Sequence, residues 1–248
     1  MEGEYGKKPK VTAIVLAAGN GSRMHSDVKK QYMELCGKPV IVHSLLPFEK
    51  SDWIDSVILV VGHEEAQYAL NLSVRYELRK VKNIVEGGAQ RFQSVYNGLR
   101  AADPDTDYIV VHDGARPLVS GELIARCCAE AAEYKACVAA VPVKDTIKTG
   151  DEEGYAAQTL ERSRLFAVQT PQVFSYPLFA EAYRKLFETI RAYQSDASKI
   201  TDDAMIVEGM TDRRVKLTEG DYRNIKITTP EDLVIAEAFL KAGNAGND

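Results

Sequence analysis

Short runs rich in branched residues recur along the chain, at 11–16, 56–61, 81–85, 108–111 and 137–143. Most runs of this length without polar alternation read as strands buried on both faces. Helical patterns lie between them. Residues 39–50 put Val40, Ile41, Ser44, Leu45 and Phe48 on one side, and 121–134 follow Ser120, a residue type that caps helix N-termini. Strand alternating with helix restricts the fold to α/β, a mostly parallel sheet wrapped by helices. Sheets of this kind bind ligands beyond the carboxyl ends of their strands, which directs attention to the segment after Leu16.

That segment is Ala17-Ala18-Gly19-Asn20-Gly21-Ser22-Arg23-Met24, with Lys29 and Lys30 just beyond it. Small residues let backbone N–H groups approach phosphate oxygens, and Arg23 and Lys30 add charge that peptide groups lack, so the segment suits a polyphosphate. A P-loop requires Gly-Lys-Ser or Gly-Lys-Thr at its end, and here Ser22-Arg23 follows Gly21. A dinucleotide fingerprint needs a small residue where Met24 stands and an acid about twenty residues on, and neither is convincing. A nucleotidyltransferase loop, folding over a nucleoside triphosphate that an Arg and a Lys neutralise, matches Gly19, Gly21, Arg23 and Lys30. Taken alone, the segment also fits a tight strand-to-helix turn.

Three further groupings stand where ligands bind. His112-Asp113-Gly114-Ala115-Arg116-Pro117 ends an apolar strand, and Asp113 is a candidate Mg²⁺ ligand beside a triphosphate, against the alternative of a local Asp-Gly turn. Gly87-Gly88-Ala89-Gln90-Arg91 leads from a strand into a helix, where backbone groups at Gly88 and the Ser94 hydroxyl can read a base or ribose; a plain helix N-terminus is the alternative. Thr146, Arg162, Thr170, Thr201 and Lys226 are singly ordinary surface residues.

A chain of 248 residues suits one domain at 11–243, between polar tails at 1–10 and 244–248. No apolar run approaches a membrane span, and residues 1–10 lack the apolar core of a signal peptide. Cys36, Cys127, Cys128 and Cys137 show no zinc spacing and read as small buried or half-buried apolar residues in a reducing cytosol, so the expected location is cytoplasmic. A net charge of -5 argues against nonspecific nucleic-acid binding. Residues 143–168 break the strand–helix rhythm and read as a two-stranded excursion, either a surface loop or an arm pairing with a second subunit. A last helix follows Thr229 as cap, with Pro230, Glu231 and Asp232 in its first turn.

Together these strings resemble the 2-C-methyl-D-erythritol 4-phosphate cytidylyltransferase family across nearly the whole chain. The resemblance rests on the loop from Leu16 to Met24, Lys30-Gln31-Tyr32, Gly87-Gly88 with Arg91 and Ser94, and His112 to Pro117. It continues through Pro142-Val143-Lys144-Asp145-Thr146, Gln169-Thr170-Pro171-Gln172, Thr201-Asp202-Asp203-Ala204 and Asn224-Ile225-Lys226-Ile227-Thr228. It implies a single Rossmann-like sheet with a projecting β-arm, and Mg²⁺-dependent transfer of CMP from CTP to methylerythritol phosphate. By the resemblance, Arg23 and Lys30 are catalytic, and Ala17, Ala18, Gly19, Gly21, Ser22, Gly88, Ser94, Asp113 and Gly114 bind CTP, Asp113 also holding Mg²⁺. Arg116, Thr146, Arg162, Thr170, Thr201 and Lys226 take the sugar-alcohol phosphate, with the arm completing the site in trans within a homodimer. Ala89 and Ser22 depart from residues found in some members. A ribitol 5-phosphate cytidylyltransferase shares most of these loops, and a noncatalytic nucleotide-binding protein on the same fold is the reading from another class.

Overall fold

The computed structural model describes residues 8–19, 28–193 and 199–244. In chain order the strands and α-helices are β1 (Val11–Ala17), β2 (Glu34–Leu35), β3 (Lys38–Pro39), α1 (Val40–Lys50), β4 (Ser56–Val61), α2 (Ala66–Arg75), β5 (Val81–Glu86) and α3 (Arg91–Arg100). They continue as β6 (Tyr108–Asp113), α4 (Gly121–Tyr134), β7 (Ala136–Pro142), β8 (Lys148–Gly150), β9 (Ala156–Thr159) and β10 (Phe166–Ser175). The last are α5 (Tyr176–Tyr193), α6 (Asp203–Met210), β11 (Lys216–Glu219) and α7 (Pro230–Asn244).

A seven-stranded sheet runs β11-β7-β10-β6-β1-β4-β5. Every pairing in it is parallel except those of β10, which is antiparallel to both β6 and β7. From β1 the chain builds outward through β4 and β5, then returns to lay β6 on the other side of β1, so the strand order reverses between β1 and β6. A crevice opens at such a point. The register sets Leu16 opposite Asp113, which brings the start of the glycine loop beside the Asp at the end of β6.

Both faces of the central strands are covered, whereas edge strand β5 is exposed at Lys82, Asn83 and Glu86 and is not the buried strand its run suggests. Val15, Leu59 and Val110 face α1, α2 and α4 through Ile41, Phe48, Leu72 and Cys127, while Ile14, Ile58 and Ile109 face α3, α5 and α6 through Val95, Phe179 and Ile206. The α4 cap forms as its sequence predicts, Ser120 Oγ accepting the Leu123 N–H at 3.1 Å. At α7 the capping acceptor is Asp232, whose Oδ2 takes the Thr228 and Thr229 N–H groups at 2.7 and 2.8 Å.

Two expectations change. Cys127, Cys128 and Cys137 are buried, but Cys36 is exposed because it lies in the short turn between β2 and β3. The excursion is also shorter than 143–168. Only β8 and β9 project as a separate antiparallel pair, whereas Phe166, Ala167 and Val168 pair with Pro142, Val141 and Ala140 inside the main sheet. The polar stretch Gln169 to Gln172 hides β10 in the sequence, and the ladder shifts register across it, between Val168 and Gln172. Among the described residues no helix is long and apolar enough to cross a membrane.

Candidate active site

A cleft of about 540 Å³ opens over the carboxyl ends of β1, β4, β5 and β6. Its floor is held by close backbone contacts. A Cβ on Gly87 would lie 2.4 Å from the Ala18 Cβ, so only glycine lets the loop after β5 approach the loop after β1 this closely. Ser94 Oγ accepts the Gly88 N–H at 3.0 Å and donates to the Gln90 carbonyl at 3.3 Å. Buried Gln31 donates its amide to the carbonyls of Ala17 at 2.5 Å and Gly19 at 3.2 Å, tying the segment that carries Lys30 to the strand exit.

Asp113 is the electrostatic centre. Its Oδ2 lies 2.8 Å from Lys226 Nζ and 3.7 Å from Arg116 Nε, and its Oδ1 lies 3.6 Å from Arg91 Nε. Burial alone would push this carboxyl up, but Lys226, Arg91 and Arg116 outweigh it and hold the group well below the usual carboxylate range. Arg91 is itself held by Asp203, whose Oδ2 is 2.7 Å from Arg91 Nη1 and whose Oδ1 accepts the Tyr183 hydroxyl at 2.7 Å. Lys30 Nζ donates to the Ile227 carbonyl at 2.9 Å, so Lys30 and Lys226 reach one wall of the cleft from distant parts of the chain.

Behind Asp113 sits His112, fully buried. Thr170 Oγ1 accepts the Asp113 N–H at 3.1 Å, which leaves its own hydrogen for His112 Nδ1 at 3.0 Å. The imidazole therefore carries its proton on Nε2, facing the Arg116 carbonyl at 3.3 Å. Burial pushes His112 down to about 3; Asp113 opposes this and Arg116 adds to it. A folded value below the unfolded one means that the stabilisation is complete above the unfolded value of about 6.5 and is lost as pH falls towards 3. Urea unfolding between pH 7 and 4 is expected to lose stability more steeply, by up to one proton, than in His112→Asn, whose amide oxygen can still accept from Thr170. Parallel slopes would contradict this.

A family model for the 2-C-methyl-D-erythritol 4-phosphate cytidylyltransferases, IspD, matches residues 11–242. The chain belongs to this family. The enzyme of that name from Lachnospira eligens is 47% identical over 230 residues, covering 93% of this chain and 99% of that one. The one from Pelotomaculum thermopropionicum is 48% identical over 94% of this chain and 95% of that one. Among solved structures, the 4-diphosphocytidyl-2C-methyl-D-erythritol synthase of Anaerococcus prevotii superposes with a TM-score of 0.81 at 32% identity, covering 94% of this chain and 97% of that one.

Of the residues singled out in the sequence, Ala17, Ala18, Gly19, Lys30, Gly88, Ser94, Asp113 and Lys226 line the cleft. Gly21, Ser22 and Arg23 lie outside the described residues. Three others stand behind the wall. Gly114 donates its N–H to the Leu16 carbonyl at 2.8 Å, and a Cβ there would lie 2.8 Å from the same oxygen. Arg116 donates to the Asn224 carbonyl at 2.7 Å, and Thr170 is 3% exposed with its hydroxyl engaged as described. Thr146, Arg162 and Thr201 are exposed and do not line the cleft. Arg162 donates instead to the Lys144 carbonyl at 3.0 Å, at the base of the projecting strands. Asp203 and the cleft-lining Lys29 enter the sequence reading only within longer strings, with no role given to either. Asp203 carries a faint signal, an acid beside the N-cap Asp202 of an apolar helix.

Proposed function

We propose that the chain transfers CMP from CTP to 2-C-methyl-D-erythritol 4-phosphate, releasing pyrophosphate. The carrying observation is the cleft at the β1/β6 reversal, where small-residue loops meet Asp113, Lys30, Arg91 and Lys226. A phosphate oxygen of the sugar alcohol attacks the α-phosphorus of CTP; the new P–O bond forms as the bond to the β-phosphate oxygen breaks, and pyrophosphate carries away the electron pair. The nucleophile is already anionic, so no side chain need be acylated or phosphorylated, and the barrier lies in bringing anions together. The loops from Ala17 to Gly19 and at Gly87–Gly88 receive the nucleotide, Lys30 with Arg23 stabilises charge on the α-phosphate, and Lys226 meets the incoming phosphate.

Among the described residues no cluster of three or more acidic, His or Cys side chains forms an all-protein metal cage. Mg²⁺ needs none, since it takes one or two carboxylates and completes its shell with phosphate oxygens and water. Asp113 fits that role, since it lines the cleft and its Oδ1 is only loosely approached by Arg91 at 3.6 Å. Bound there, the ion would neutralise triphosphate charge and polarise the phosphoryl oxygens.

A homodimer is part of the reading. The projecting strands are exposed along their length, and Ile147 and Tyr155, the latter 69% exposed, stand just before them. Thr146 and Arg162, outside their own cleft, would serve the cleft of a second copy. Sedimentation at assay concentration is expected to give twice the chain mass, and a fully active monomer would contradict the trans arrangement. The cysteine chemistry fits a cytoplasmic protein. For substrate choice, methylerythritol 4-phosphate is expected to drive pyrophosphate release far faster than ribitol 5-phosphate. The reverse order would reassign the enzyme within its fold, and turnover with neither would favour a nucleotide-binding role.

A further inference from the structure

The one-turn helix Lys30–Tyr32 carries the ammonium assigned above to the α-phosphate, and a single carboxylate from another element grips both of its ends. Glu65 stands at the junction between β4 and α2, where its N–H bonds the Gly62 carbonyl at 3.2 Å and its carbonyl accepts the Ala69 N–H at 2.9 Å. Its side chain is 16% exposed and reaches Lys29, which lines the cleft. Oε1 lies 2.5 Å from Lys29 Nζ, at the start of the turn. Oε2 accepts the Tyr32 hydroxyl at 3.0 Å, at the end of the turn, and the Gly62 N–H at 2.8 Å. Tyr32 is braced further by an edge-on contact with Tyr68 of α2, ring centroids 5.0 Å apart.

We propose that Glu65 is a positioning residue for Lys30: by holding Lys29 and Tyr32 together against the β4–α2 junction, it sets where the Lys30 ammonium stands in the cleft. The proposal rests on the role given to Lys30 above. Gln31 anchors the middle of the turn to the Ala17 and Gly19 carbonyls, and Lys30 itself reaches the Ile227 carbonyl. These contacts fix the inner side of the turn; Glu65 alone, among the contacts described, joins its two ends to β4 and α2. A long lysine is a flexible point charge, so its effect on a transition state depends on the backbone that aims it. Removing the carboxylate leaves the turn in place and lets the ammonium wander.

The test is steady-state pyrophosphate release by Glu65→Ala, Glu65→Gln, Lys30→Ala and the Glu65→Ala/Lys30→Ala double variant, each checked for an unchanged thermal unfolding midpoint. Glu65→Ala is expected to lower kcat about 10- to 100-fold with little change in the KM for CTP, the scale of losing alignment by about an ångström. Glu65→Gln, which keeps an acceptor for the Gly62 N–H and a partner for Tyr32, is expected to recover part of the loss. In the double variant the two losses should fail to multiply, because Glu65 acts through Lys30. A crippled Lys30→Ala beside a fully active Glu65→Ala overturns the inference alone, as do losses that multiply. Full activity in Lys30→Ala overturns the role of Lys30 and the inference with it. If Glu65→Ala fails to fold, Glu65→Gln decides by the same kcat criterion.

Discussion

Asp113→Asn is expected to lower stability by about 3 kcal/mol and to abolish measurable turnover, the stability loss being the scale of removing one partner from a buried ion pair. The carboxylate faces three cations, at 2.8, 3.6 and 3.7 Å. Their responses will differ. Lys226 has a side chain 37% exposed and can turn to solvent, and Arg91 keeps Asp203. Arg116 cannot move so freely, since its side chain is 11% exposed and its Nε has no other partner. Under the proposed function the amide also loses the charge that Asp113 would offer a Mg²⁺ ion. Urea unfolding at pH 7 and pyrophosphate release measure the two effects separately. Wild-type stability in the variant would mean that the cations do not depend on Asp113; retained turnover would remove the carboxylate from the site.

Lys30→Ala should lower kcat by about 10² to 10³, or roughly 3 to 4 kcal/mol, the cost of deleting one donor to charge that develops in the transition state. Stability should change little. Lys30 donates to the carbonyl of buried Ile227, and losing that donor costs about 1 kcal/mol, small beside the kinetic loss. The separation between large kinetic and small thermodynamic effects is the signature, and it contrasts with Asp113→Asn, where both change. The same kinetic loss is expected for Arg23→Ala. A fall in apparent CTP affinity with kcat unchanged would demote Lys30 to ground-state binding.

Much of this arrangement was legible in the sequence because it depends on local pattern. β1, β4, β6 and β7 are short apolar runs covered on both faces, and α4 announces its start with Ser120. Asp113 stood out by ending such a run. What stayed hidden depends on pairings between distant segments. Thr170 reads as a surface hydroxyl until the antiparallel β10 brings it against His112 and Asp113, and β10 is obscured by its own polar centre. Asp203 and Tyr183 show no spacing that points to Arg91; α5 and α6 must pack on the sheet before the three meet. Glu65 is equally silent, since its three partners are Lys29, Tyr32 and a backbone N–H at the end of β4.

The central claim is that this cleft joins a cytidylyl group to a sugar-alcohol phosphate, and ³¹P NMR of the reaction tests it most directly. With protein, Mg²⁺, CTP and 2-C-methyl-D-erythritol 4-phosphate, the triphosphate signals should give way to those of inorganic pyrophosphate and of a diphosphate diester in equal amounts. The phosphomonoester signal should disappear at the same rate. Release of orthophosphate with CDP, or a phosphomonoester that persists while CTP is consumed, would contradict the account.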